Sequence, residues 1–297
     1  MDKKAMRSHL LLLLTALIWG AGYVAQRLGL NHLGSFAFNG LRSLVGAAAV
    51  MPVALMSWRR DENASRERNP LIKGGLLCGL VLCAASNLQQ AGLVYTSVGK
   101  AGFISALYIL FVPLIGLAFG RKVTKLFVVA VAIAMAGMFM LTMEGAESVS
   151  KGDLLVLGAT IMFAVHIMII DHYSPMVNGS MMAMIQFGVS GTLSVIIAHL
   201  VGERITLDAV HGALMPMLYS GVCSCGIGYT LQIIAQKDVN PVVASLVLSL
   251  EAVFAALAGW ALLGESLTGR ELTGCALVFS AVILAQLPDK KLAPATT

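Results

Sequence analysis

The sequence predicts an all-α polytopic membrane protein, with ten transmembrane helices arranged as two inverted five-helix repeats. Three observations predict it. First, 58% of the 297 residues are hydrophobic and only 12% are charged, about half the charge of a soluble domain, and the mean hydropathy is +0.85. Second, ten stretches are each long and apolar enough to cross a hydrocarbon core of roughly 30 Å, which takes about 20 residues of helix. Third, the order of elements in the first half recurs in the second. This composition excludes a disordered chain, a nucleic-acid-binding domain and an ordinary soluble enzyme.

The stretches fall at 9–28, 36–57, 72–94, 98–119, 124–143, 153–172, 180–201, 211–235, 241–263 and 269–287. The first runs on through Trp19 and Tyr23 with no small-residue cleavage site, so it reads as a span and not a signal peptide. The polar segment Arg59 to Asn69 (RRDENASRERN) reads as a surface linker ending at Pro70. Abundant glycine (30 residues) with few aromatics (7%) suits helices packed closely in lipid. Cys78, Cys83, Cys223, Cys225 and Cys275 all lie in apolar stretches. They read as buried packing, with no metal site and no disulfide framework.

Basic residues set the orientation. With a cytoplasmic N-terminus, 14 of the 20 Lys and Arg fall on the cytoplasmic side. Five (Arg27, Lys100, Lys151, Arg204 and Arg270) fall outside, and Arg42 lies within a span. The expectation is a cell-membrane protein with both termini cytoplasmic.

Residues 14–28 (LTALIWGAGYVAQRL) align loosely with 157–171 (LGATIMFAVHIMIID), and 93–108 (LVYTSVGKAGFISALY) with 234–249 (IAQKDVNPVVASLVLS). The turns GRKVT (120–124) and GESLT (264–268) precede the last helix of each half, and GAESVSKGD (145–153) links the halves. The repeats are therefore read as 1–147 and 148–297. Five spans return the chain to the opposite side, so the second copy inserts upside down. Inverted halves of this kind can rock about a shared central site.

Several segments resemble the EamA-type transporters of the drug/metabolite transporter superfamily. They are ALIWGAGYVAQR (16–27), FNGLRSLVGA (38–47), GLVYTSVGKAGFISALYILFVPLIGLAFGRKVT (92–124) and VVASLVLSLEAVFAALAGWALLGESLTGRELTGCALVFSAVILA (242–285). The resemblance covers essentially the whole chain. It implies the ten-helix inverted fold and transport of a small metabolite, amino acid or drug-like compound, with export the leading direction and vitamin import an alternative. Gly120-Arg121-Lys122 departs from Gly264-Glu265-Ser266 in the second half, a swap that reads as topology, since the two turns face opposite sides.

Charge inside a span is costly, at least ~2.5–3.5 kcal/mol on insertion scales, and faces the bundle interior. Only Glu251 among the acidic residues and Arg42 among the basic ones are well inside a span. Arg42 is about seven residues from the outer end of its span and Glu251 about eleven from the inner end of its own, depths roughly one turn apart. They are therefore expected to pair, directly or through water. His166 and Glu251 are the mid-span groups able to titrate near neutral pH. Glu251 is the first choice for coupling to protons.

Polar residues recur at helical spacing on several spans. Trp19, Tyr23, Asn87, Gln90, Tyr108, His166, Tyr229 and Gln232 join Arg42 and Glu251 as candidates for substrate binding or coupling. Buried amides in lipid need partners, so such faces meet other helices or a wet cavity. The aromatics offer stacking faces and hydroxyls to an amphipathic solute or a cation.

There is no G-x-x-x-x-G-K-[ST] loop for ATP, and no H-E-x-x-H or G-x-S-x-G constellation. The chain is thus read as a secondary transporter without cofactors and not as an enzyme, with a channel or membrane scaffold as the alternative from another class. The expected partners are a small-molecule substrate, the bilayer and, for coupling, protons. No nucleic acid is expected, and a monomer suffices.

Overall fold

The computed structural model describes residues 3–60, 64–96, 98–120, 123–142, 149–263 and 268–285. All regular structure among them is helical, and ten helical units follow the ten predicted spans. They are α1 (Lys3–Gly29), α2 (Ser35–Arg59), α3 (Ala64–Gly92), α4 (Val98–Ala118), α5 (Lys125–Thr142), α6 (Lys151–Tyr173), α7 (Gly179–Leu200), α8 (Leu214–Gln236), α9 (Pro241–Leu263) and α10 (Gly269–Ala285). Eight are long and apolar enough to cross a membrane; α5 and α10 are the short, apolar fifth helices of the two halves. The turns 120–124 and 264–268, the 145–153 linker and the chain after 287 lie wholly or partly outside the described residues.

One boundary differs from the sequence reading. Residues 64–69 are the first turns of α3, not a linker. Pro70 does not stop the helix. It removes one bond of the ladder, the N–H to the Arg66 carbonyl, and the helix continues on either side.

The starts of the helices follow from their caps. Ser150 and Asp153 form a reciprocal capping box at α6, and the Asn178 side chain accepts from Met181 N at α7. Asn240 caps α9 ahead of Pro241. The N-terminus of α2 is capped from the other half: Glu203 accepts from Ala37 N at 2.7 Å and Phe36 N at 3.3 Å.

Packing repeats on exchange of the two sets of five helices. α2 lies on α7 and α5 on α10. α3 packs on α6 and α7, as α8 packs on α1 and α2, and α1 meets α9 as α6 meets α4. Glycine permits the closest approaches: a Cβ on Gly20 of α1 would lie 2.7 Å from Ala255 N and 2.8 Å from the Glu251 carbonyl of α9.

Both fourth helices are broken near mid-span. α4 divides at Leu107 into Val98–Ala106 and Tyr108–Ala118, and α9 divides at Ser249–Leu250 into Pro241–Leu248 and Glu251–Leu263. In α4, Pro113 denies the Ile109 carbonyl its donor. In α9, the Ser249 hydroxyl donates to the Leu246 carbonyl at 2.7 Å, a local bond that competes with the helix ladder.

Candidate functional site

The breaks aim two residues at the centre. Tyr108 and Glu251, each the first residue of a second helical segment, line one cavity with Trp19, Tyr23, Arg42, His166, Tyr229 and Gln232. Discontinuous helices in corresponding places of two halves are a recurrent way to build a transport site. The cavity volume is about 40 Å³, room for about three waters at ~10–15 Å³ each. Pockets that hold drug-sized ligands measure ~300–1,000 Å³. In this conformation the cavity is far smaller than such a pocket.

Its wall on α8 is a π-helix over Tyr219–Gly228. This form is rare and concentrates at functional sites. Its i→i+5 register puts Ser224 and Tyr229 on one face, and both line the cavity. Trp19 donates from Nε1 to the Ser224 carbonyl at 3.4 Å, and Thr15 donates to the Gly228 carbonyl at 3.2 Å. Tyr229 is the aromatic hub. Its ring centroid lies 4.5 Å from that of Trp19, 5.2 Å from Phe187 and 5.7 Å from His166, the last two edge-on, geometries that aromatic pairs favour.

The two charged residues form no direct ion pair with each other. Arg42 donates from Nε to Asn39 Oδ1 at 3.1 Å and from Nη1 to Cys225 Sγ at 3.8 Å. No ion pair joins Arg42 to Glu251 among the described residues. Matching depths along the helix axes are not enough, because α2 packs on α7 and α8 while α9 packs on α1. Both side chains are buried, each 4% exposed. They face the same cavity. The Tyr108 hydroxyl lies against the Glu251 carboxyl, and Gln232 Oε1 is buried without a hydrogen-bond partner.

Asn87 and Gln90 lie away from the cavity lining. Asn87 joins Asn39 and Ser194 in a buried cluster linking α2, α3 and α7, with bonds of 2.8–3.1 Å. Gln90 donates to the Gln26 carbonyl at 3.3 Å. Both hold helices together. His166 lies on the lining and is held by Gln186 Oε1 at 3.0 Å.

Gln26, Gln89, Phe163, Ile167 and Ser224 complete the lining. Gln89 donates to the Tyr23 hydroxyl at 3.1 Å and to Ser105 Oγ at 2.9 Å. A signal for Gln89 is present in the sequence: Ser86, Asn87, Gln89 and Gln90 give α3 two polar faces, one toward α2 and α7 and one toward the cavity.

Comparison with known proteins agrees with this architecture. The EamA-like transporter family model matches the chain twice, over residues 6–143 and 150–287. An uncharacterized transporter of Archaeoglobus fulgidus is 29% identical over 285 residues, covering 96% of this chain and 87% of that one. The inner membrane transporter YedA of Escherichia coli K12, itself uncharacterized, is 28% identical over 284 residues, covering 94% and 90%. A crystal structure 17% identical in sequence superimposes with a TM-score of 0.76 over 94% of this chain and 96% of its own, which speaks to the fold alone. The relatives and the family carry the names of transporters, and the apolar helices make the chain a multi-pass membrane protein. The chain belongs to the EamA-like transporter family.

Proposed function

We propose that the chain is a secondary transporter that exports a small amphoteric metabolite, an amino acid or a compound of similar shape, by alternating access between halves 1–147 and 148–297. The observation that carries this reading is the pair of buried, mutually unpaired charges on one aromatic-lined cavity, Arg42 from the first half and Glu251 from the second. A substrate carboxylate meets the Arg42 guanidinium, and a substrate ammonium meets Glu251. Trp19, Tyr23, Tyr108 and Tyr229 cover the apolar body between them. Buried charges without a counter-charge are costly unless something completes them, which supports a ligand bearing both signs. The narrow cavity supports movement: the halves part to admit the substrate. Glu251 also serves as the proton-coupling group, and the basic-residue bias puts both termini in the cytoplasm.

The test is reconstitution in liposomes preloaded with a mixture of amino acids and other metabolites. Release is read by mass spectrometry, with and without an imposed pH gradient. Saturable release of a few zwitterionic compounds supports the proposal. Selective release of anions or uncharged solutes refutes the amphoteric substrate, and uptake without release refutes export.

A further inference from the structure

The two halves are tied together at both faces of the bundle, by ion pairs in related places and very different surroundings. At the face where the chain starts, Lys4 at the beginning of α1 pairs at 2.8 Å with Asp238, in the turn before α9. At the opposite face, Asp153 at the beginning of α6 pairs at 2.8 Å with Lys100, near the start of α4. α1 and α6 are the first helices of their halves, and α4 and α9 the fourth. Each pair thus joins the first helix of one half to the fourth helix region of the other, with the charges exchanged.

The surroundings are unequal. Lys4 and Asp238 have side chains 71% and 24% exposed, and the Ser8 hydroxyl reaches Asp238 only at 3.5 Å. Lys100 and Asp153 are 9% and 6% exposed. Asp153 also accepts from Thr96 Oγ1 at 2.7 Å and from the Ser150 backbone at 2.8 Å. Backbones close around this second pair: a Cβ on Gly152 would lie 2.6 Å from the Gly92 carbonyl. Lys151 sits over the Tyr95 ring at 5.4 Å. An exposed ion pair contributes little, whereas separating a buried, hydrogen-bonded pair strands both charges.

We infer that Lys100 and Asp153 form a latch between the halves that holds the face opposite the N-terminus shut, so that the cavity opens by preference toward the N-terminal face. The inference rests on the reading of two halves moving about the cavity. With the N-terminus in the cytoplasm, the bias loads the site from inside the cell, as an exporter requires. Lys100 and Asp153 are positioning residues, remote from the cavity lining.

The experiment places one cysteine on the cavity wall, Ser224→Cys in a chain otherwise freed of its five cysteines. Its reaction with a membrane-impermeant maleimide is timed in right-side-out and inverted vesicles. The expected result is labelling at least fivefold faster from the N-terminal face. Asp153→Asn and Lys100→Gln each bring the two rates within about twofold, and the exchange of Lys100→Asp with Asp153→Lys restores the bias. Lys100→Gln leaves Asp153 its bonds to Ser150 and Thr96, so the α6 cap survives in that variant. Lys4→Ala leaves the bias in place. General unfolding would raise the rate from both faces, whereas loss of the latch raises it from the face opposite the N-terminus and leaves the N-terminal rate no higher than in the parent. Equal labelling of the parent from both faces, or an unchanged bias in Asp153→Asn and Lys100→Gln, overturns the latch while leaving the two-half reading intact. A parent that transports but labels from neither face overturns the cavity reading and the latch with it.

Discussion

Tyr108 and Glu251 hold corresponding places in the two halves: each opens the second segment of a broken fourth helix, and each faces the central cavity. The second half places a carboxyl where the first places a phenol. Two halves of similar build thereby enclose a chemically unsymmetrical site, with ionisable groups Arg42 and Glu251 approaching it from different helices.

Glu251→Gln keeps the shape of the side chain and removes its charge. Release by the variant is expected to lose its response to an imposed pH gradient. A zwitterionic substrate loses a charge-assisted hydrogen bond of ~1.5–3 kcal/mol, so its KM rises roughly 10- to 100-fold. Flux measured at several imposed gradients checks both effects. An unchanged gradient response assigns coupling to another group.

Arg42→Lys retains the charge and loses the planar fork that reaches Asn39 and Cys225 together. The expected outcome is a KM increase of about tenfold, ~1.4 kcal/mol, with the thermal midpoint little changed. Transport titrations alongside a thermal-shift assay separate the two quantities. Wild-type KM in this variant argues against contact between Arg42 and substrate.

Gly20→Ala puts a methyl group 2.5 Å from Phe254 Cβ and against the α9 backbone beside Glu251. Overpacking of this kind costs ~1–3 kcal/mol, and α1 must move away from the site. The midpoint is expected to fall by several degrees and transport with it. Gly188→Ala, which meets nothing within 4 Å, is the matched control and is expected to behave as wild type in both assays.

Asn87→Ala removes the centre of the Asn39–Asn87–Ser194 cluster. Interhelical hydrogen bonds in membranes average ~0.6 kcal/mol and reach ~1.7, so the loss is expected to be about 1–2 kcal/mol of stability, with KM within twofold of wild type. A large KM effect without a stability effect would move Asn87 from helix packing to the binding site.

The spans were legible because each needs a long apolar run, and Arg42 and Glu251 because charge within such a run is rare. The lateral arrangement was not legible. Equal depth predicts that Arg42 and Glu251 pair, directly or through water; depth says nothing about which helices are neighbours, and the direct contacts of Arg42 are with Asn39 and Cys225. Helical spacing grouped Asn87 with Gln90, and a polar face does not reveal whether it meets another helix or a cavity. Ser224 was hidden by the π-helix, whose register departs from the 3.6-residue period used to project faces. The breaks at Leu107 and Ser249–Leu250 have local correlates in Pro113 and Ser249, but a proline or serine inside an apolar run is tolerated in many unbroken membrane helices, so neither fixes an interruption by itself.

The central claim is tested most directly by counterflow in liposomes loaded with a compound that the release screen identifies. The account predicts saturable uptake of labelled compound driven by unlabelled compound inside, abolished when Trp19→Ala and Glu251→Gln are combined. Flux that rises linearly with concentration, shows no counterflow and persists in the double variant would contradict alternating access about this cavity and identify a channel.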